Sequence, residues 1–169
     1  MINKIKSRII NKNKIKKKIT VAVSGGFDPI HIGHVRLFSE AKKLGNKLIV
    51  ILNNDNWLKK KKGYVFMNQH ERKEVIESIR AVDKVIFTSH KPNPKDMSVC
   101  SELKKLKPDV FANGGDRKIG MHAPTESLVC VEIHCREVFG VGRGGKVQSS
   151  SWLVEKVKNL SFIFLCIIL

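Results

Sequence analysis

Acidic residues are scarce: 15 Asp and Glu stand against 32 Lys and Arg in 169 residues, for a formal charge of +17. That balance makes phosphate-bearing ligands, nucleic acid or an anionic surface the first electrostatic partners to weigh. Cysteine is sparse too. Cys100, Cys130, Cys135 and Cys166 contain no CxxC pair and lack the density of a disulfide-stapled secreted fold, so a reducing, cytoplasmic setting is expected. Long apolar runs are missing. Ile2, Ile5, Ile9 and Ile10 are broken up by Lys, Arg and Asn, unlike a signal peptide, so export is not expected. The closing run, residues 160–169, falls well short of the ~20 residues that a helix needs to cross a bilayer.

What is present suits one folded unit. Hydrophobic residues make up 42% of the chain, enough to bury a real core, and the length fits a single domain rather than a multidomain enzyme. Residues 1–18 carry eight Lys and Arg and no acid. Lacking interleaved aromatics, this arm is expected to be solvated and disordered, with nucleic acid not its expected partner and membrane contact only weakly indicated. The domain proper is expected over 19–159, followed by the apolar tail 160–169.

Strand and helix signals alternate within that domain. Ile19-Thr20-Val21-Ala22-Val23 is a β-branched run stopping at Ser24-Gly25-Gly26, after which Val35, Leu37, Phe38, Ala41 and Leu44 recur at helical spacing. Leu48-Ile49-Val50-Ile51-Leu52 reads as a strand buried on both faces. The order then repeats, with helix 69–82, strand 84–88, helix 95–106 and strand 109–112. A helix starting at Pro124, strand 137–141 and a last helix opening at Ser149-Ser150-Ser151 complete it. This alternation predicts an α/β, Rossmann-like, doubly wound parallel sheet of five strands with helices on both faces. Ligands of such sheets sit beyond the carboxyl ends of the strands, so chemistry is expected in the loops that follow them.

The most informative of those loops is Ser24-Gly25-Gly26-Phe27-Asp28-Pro29-Ile30-His31-Ile32-Gly33-His34. Gly25 and Gly26 allow backbone to approach a bulky anion, and a helix N-terminus favours phosphate. His31 and His34 lie three apart across the helix start, with Gly33 leaving space beside them. Incidental surface histidines beside a plain turn, or a partial metal site, are the competing readings. A second anion site is legible near the end of the chain. There Ser149, Ser150 and Ser151 open a helix behind Gly142-Arg143-Gly144-Gly145-Lys146-Val147-Gln148, where their hydroxyls either hold phosphate or simply cap the helix. His122, Cys130, His134 and Cys135 match no standard zinc spacing, and no protein-held metal site is expected.

The His-x-Gly-His segment, placed between a strand and a helix, resembles the signature of the cytidylyltransferase-like nucleotidyltransferases. The likeness spans about residues 20–157 and looks nearest to glycerol-3-phosphate and phosphoethanolamine cytidylyltransferases and the heptose-phosphate adenylyltransferase domain. It implies catalytic roles for His31 and His34, and for two lysines of Lys59-Lys60-Lys61-Lys62, of which spacing favours Lys60 and Lys62; a solvated basic loop is the alternative. It further implies nucleotide contacts from Gly25, Gly26, Phe27, Asp116, Arg143, Gln148 and Ser149 to Ser151. Supporting roles fall to Asp28, Gly33, Arg72 and Arg80, with Arg72 alternatively pairing to Glu71 or Asp83 as structural glue. Asn113-Gly114-Gly115-Asp116 is closer to the adenylyltransferase side of the family, and Arg143-Gly144-Gly145 departs from its usual Arg-Thr-x-Gly.

The resemblance implies transfer of CMP, or AMP, from CTP or ATP to a phosphorylated small molecule, releasing pyrophosphate. Glycerol 3-phosphate, phosphoethanolamine, phosphocholine and a sugar phosphate are the acceptors it suggests. Alternatives are an adenylyltransferase of the nicotinamide-nucleotide or phosphopantetheine type, and a basic adaptor that retains the pocket. Magnesium is expected to travel with the triphosphate, and a homodimer is implied by analogy with relatives.

Overall fold

The computed structural model describes residues 18–115, 124–142 and 148–157. Both tails, Asp116 and Arg143 lie outside the described residues. In chain order the elements are β1 (Thr20–Gly25), α1 (Ile32–Lys42), β2 (Lys47–Leu52), α2 (Asp55–Lys62) and α3 (Gln69–Glu77). There follow β3 (Lys84–Phe87), α4 (Cys100–Leu106), β4 (Val110–Gly114), α5 (Pro124–Glu132) and β5 (Arg136–Val141), with residues 150–157 forming α6. The five strands make one sheet in the order β3-β2-β1-β4-β5, and every pairing is parallel. The chain therefore winds outward from β1 through β2 to β3, then returns to the other side of β1 for β4 and β5. Loops after β1 and β4 diverge at that switch and leave a crevice between them.

Strand periodicity divides the core in two. Val21 and Val23 of β1, with Leu48, Val50 and Leu52 of β2, pack against Phe38 and Ala41 of α1 and Ile76 of α3. Ala22, Ile51 and Phe111 point the other way, onto Leu103 of α4 and Val129 and Cys130 of α5. Alternate residues thus face opposite sides, and helices cover both. Among the described residues no helix is long and apolar enough to cross a membrane.

Three elements differ from the sequence expectation. α2 was not expected: Asn54 caps it by accepting from the Trp57 amide at 3.1 Å, and Gly63, at φ 79°, closes it. Lys59 to Lys62 are its last turn, where the helix dipole favours cations, so they are not a loop. α3 stops at Glu77 rather than 82, and single turns carry Ile79 and Val82 onto the core, which imitates continued helical periodicity. α4 begins at Cys100 rather than 95, because residues before it serve as tethers. Trp57 Nε1 donates to the Met97 carbonyl at 2.8 Å, and Asn56 donates to the His90 carbonyl at 3.0 Å.

Under the crevice lies Arg72, fully buried. Its Nε donates to the Met67 carbonyl at 2.9 Å, Nη1 to the carbonyls of Gly26 and Asn53 at 2.6 and 2.8 Å, and Nη2 to Asp55 Oδ1 at 2.6 Å. Neither anticipated partner is used. Glu71 completes the capping box of α3, while Asp83 pairs with Lys42 and accepts from the Leu48 amide at 2.6 Å. One planar guanidinium thus ties the ends of β1 and β2 to α2 and α3, a fork that lysine cannot reproduce. Arg72→Met is expected to cost about 3–5 kcal/mol, the range for removing one partner of a buried pair, read as a lower urea midpoint at unchanged slope; Arg72→Lys should recover only part of it.

Candidate active site

Leaving the sheet, β1 enters a turn whose glycines are set by packing. A Cβ on Gly25 would lie 2.8 Å from the Phe27 ring, and one on Gly26 would lie 2.8 Å from Leu58 Cδ2. Phe27 adopts φ 48°, uncommon for a non-glycine residue. Its ring meets His34 edge-on at 4.9 Å and Phe38 at 5.0 Å between centroids. The pair therefore makes room for protein first, and its backbone lines the cavity as a result.

His31 is the N-cap of α1. Its Nδ1 accepts from the Gly33 amide at 3.1 Å, and His34 Nδ1 accepts from the His31 amide at 3.3 Å, a reciprocal capping box built from two imidazoles. The rings stack with centroids 3.7 Å apart and planes 25° from parallel. A Cβ at Gly33 would sit 2.9 Å from His31 Cε1, which is why this position has none. A nitrogen that accepts an amide proton carries none itself, so each neutral ring bears its proton on Nε2. Among the described residues nothing accepts from either Nε2, and both rings line the cavity.

Electrostatics keep the rings neutral. Burial, then His31, then Lys62 lower the His34 pKa to about 3, and burial followed by Lys62 lowers that of His31. Lys62 Nζ donates to the Asp28 carbonyl at 2.6 Å. Burial is the largest influence on Lys62 and lowers its pKa; Asp28 opposes the shift and Arg72 adds to it. The site thus pairs neutral donors with an ammonium.

The cavity holds about 400 Å³ between the β1 turn, the first turns of α1, the ends of β4 and β5, and residues 148–151. The N-termini of α1 and α6 open into it together. Ser149 heads α6, its carbonyl accepting from the Leu153 amide at 3.2 Å. Ser150 Oγ donates to the Pro29 carbonyl at 2.9 Å, so this hydroxyl latches α6 to the β1 turn. Gln148 Oε1 accepts from the Ser149 amide at 3.1 Å.

Other anticipated residues part company. Lys60 and Lys62 lie two apart on α2, about 200° around a helix, so only Lys62 lines the cavity; Lys60 donates outward to Asn93 Oδ1 at 2.7 Å. Arg80 is exposed in the turn between α3 and β3, at the amino end of the strands and away from the crevice. Asp28 supports from below: its buried carboxylate accepts from the amides of Phe66 and Met67 at 2.9 and 2.7 Å. Arg36 and Leu37 line the cavity without having been anticipated. Their spacing of three and four from Gly33 places them on its helix face, a signal present in the sequence.

Because His34 titrates near 6.5 when unfolded and at about 3 when folded, its contribution to stability is complete above pH 6.5. It is lost as the pH falls toward 3, at up to about 1.4 kcal/mol per pH unit. Thermal melts from pH 7 to 4 should show that decline, and His34→Gln should flatten it. In nitrogen-15 spectra the His34 ring should remain the Nε2–H tautomer from pH 8 to 5; a titration near 6.5 would refute the assignment.

Comparison with known proteins agrees with this architecture. The family model described as cytidylyltransferase-like matches residues 22–152. An FAD synthase from Thermococcus sibiricus is 33% identical over 145 residues, covering 84% of this chain and 94% of that protein. Another FAD synthase, from Pyrococcus abyssi, is 41% identical over 113 residues, covering 66% of this chain and 73% of that one. Among solved structures, a lipopolysaccharide core biosynthesis protein from Thermoplasma volcanium superposes with a TM-score of 0.61 at 26% identity, over 75% of this chain and 99% of that one. With its parallel sheet, its paired histidines at the switch point and this family match over most of its length, the chain belongs to the cytidylyltransferase-like nucleotidyltransferases.

Proposed function

We propose that this nucleotidyltransferase moves AMP from ATP to the phosphate of FMN, forming FAD and pyrophosphate. The observation that carries this reading is the likeness to FAD synthases, over 94% of the Thermococcus sibiricus protein and 73% of the Pyrococcus abyssi one. It favours the adenylyl alternative over CMP transfer, and it replaces the glycerol, amino-alcohol and sugar phosphates suggested by the His-x-Gly-His signature with a flavin phosphate. Phospholipid and sugar-nucleotide synthesis lose their support with them.

The geometry suits such a transfer. A phosphate oxygen of FMN attacks the α-phosphorus of ATP, a new P–O bond forms, and the bond to the β-phosphate oxygen breaks as pyrophosphate leaves. The attacking oxygen is already anionic, so no side-chain nucleophile or general base is needed. Alignment and charge stabilisation remain as the work of the protein. In this reading His31 and His34 each donate from Nε2 to a phosphate oxygen, Lys62 and Arg36 neutralise, and amides at the start of α6 cradle the phosphates. The described residues lining the cavity include no carboxylate, so magnesium would be held by the nucleotide's own phosphates, whose charge it would offset.

Pyrophosphate release should be measured for ATP and CTP against FMN, glycerol 3-phosphate, phosphoethanolamine, phosphocholine, nicotinamide mononucleotide and heptose 1-phosphate. ATP with FMN should be the preferred pair, and a larger kcat/KM for CTP with any other acceptor would overturn the reading. His34→Ala should lower kcat by about 10²–10³, the scale of losing one preorganised donor. Lys62→Ala should reduce kcat/KM, whereas Lys60→Ala should stay within about twofold of the parent.

A further inference from the structure

The connection between α2 and α3 has the wrong composition for a surface loop. Gly63-Tyr64-Val65-Phe66-Met67-Asn68 joins two strongly charged helices, yet its four central residues are apolar or aromatic. Its backbone is bolted down. Phe66 and Met67 give their amides to the Asp28 carboxylate, and the Met67 carbonyl accepts from Arg72 Nε. Both charged anchors are fully buried.

The consequence is a phenyl ring held outward on a rigid backbone, with 54% of Phe66 exposed. Exposing a large apolar ring opposes the hydrophobic effect, and here two buried charged groups hold the backbone that presents it. Asp28 also accepts from Lys62 Nζ through its own carbonyl, so the exposed ring and the cavity ammonium hang from one residue. The loop directly follows Lys62, the last residue of α2, which lines the cavity. An acceptor whose phosphate meets Lys62 therefore has the Phe66 loop beside it.

We propose that Phe66 determines acceptor specificity by stacking against a planar heteroaromatic ring whose phosphate reaches Lys62. The inference rests on FMN being the acceptor and deepens that reading: the flavin ring lies on the loop between α2 and α3, outside the phosphate cavity. An acceptor with no ring, such as glycerol 3-phosphate, gains nothing from this surface.

The full chain, Phe66→Ala and Phe66→Trp test it by FMN fluorescence titration and steady-state kinetics, with melting curves confirming that the variants fold. Phe66→Ala should raise the Kd and KM for FMN about tenfold. It should leave kcat at saturating FMN within about twofold and the KM for ATP unchanged, while Phe66→Trp restores parental values and quenches bound FMN at least as strongly. An unchanged KM for FMN in Phe66→Ala, with the parent still forming FAD, overturns this inference alone. A parallel rise for ATP and FMN also overturns it, marking the ring as structural. If the parent neither forms FAD nor alters FMN fluorescence, the proposed function falls and this inference with it.

Discussion

Everything at the crevice depends on one buried bracket, the Arg72 guanidinium below the β1 turn and the Asp28 carboxylate within it. A loop that presents backbone to a phosphate cannot also be covered by protein on that side, so its rigidity has to come from beneath. Arg72 supplies it by donating to the carbonyls of Gly26, Asn53 and Met67 while Asp55 balances its charge. Asp28 completes the bracket through the amides of Phe66 and Met67. Each buried charge is hydrogen-bonded on several sides, the condition under which burying it is tolerable. The arrangement fixes the β1 turn and the loop after α2 as one piece.

On that base stands a site with a particular charge logic. In a chain carrying +17 overall, two more cations at the mouth of α1 would repel Lys62 and the helix terminus. Burial and Lys62 instead hold His31 and His34 uncharged. Reciprocal capping then decides which nitrogen holds the proton, so two neutral N–H donors face the cavity without adding charge. Neutral donors discriminate by geometry more than by charge, which suits stabilising oxygens whose positions change during transfer. Helix capping and the aim of the two donors thus become one feature, since the hydrogen bonds that start α1 also orient its imidazoles.

Much of this was legible in the sequence, and the failures have physical causes. Five strands and their parallel arrangement followed from apolar runs spaced by helical ones, because buried parallel strands leave a strong signal. That His31 and His34 stand at a strand-to-helix turn on the crevice side was readable from their place in the sequence. Arg72 and Arg80 looked equivalent in the sequence, yet one is fully buried and the other lies exposed at the far end of the sheet. Their difference is set by long-range carbonyl partners that no local pattern encodes. α2 went unseen because four consecutive lysines erase apolar periodicity, although Asn54 and Gly63 mark its ends. Once the segment is helical, its 100° step per residue separates Lys60 from Lys62.

The serine segment at the start of α6 shows how a local motif acquires a role it does not contain. Three serines at a helix start are compatible with capping alone, which needs only one. What brings α6 to the cavity is the Ser150 hydroxyl, donating across 121 residues of chain to the Pro29 carbonyl. That carbonyl belongs to the turn bracketed by Arg72 and Asp28, so the position of α6 inherits the rigidity of the β1 turn. Ser150 therefore serves as a tether, its hydroxyl spent on the Pro29 carbonyl. Two helix N-termini with like partial charges would not stay close together unaided. A direct hydrogen bond between their leading segments holds them across one cavity, and a polyphosphate between them would turn that repulsion into attraction toward a shared ligand.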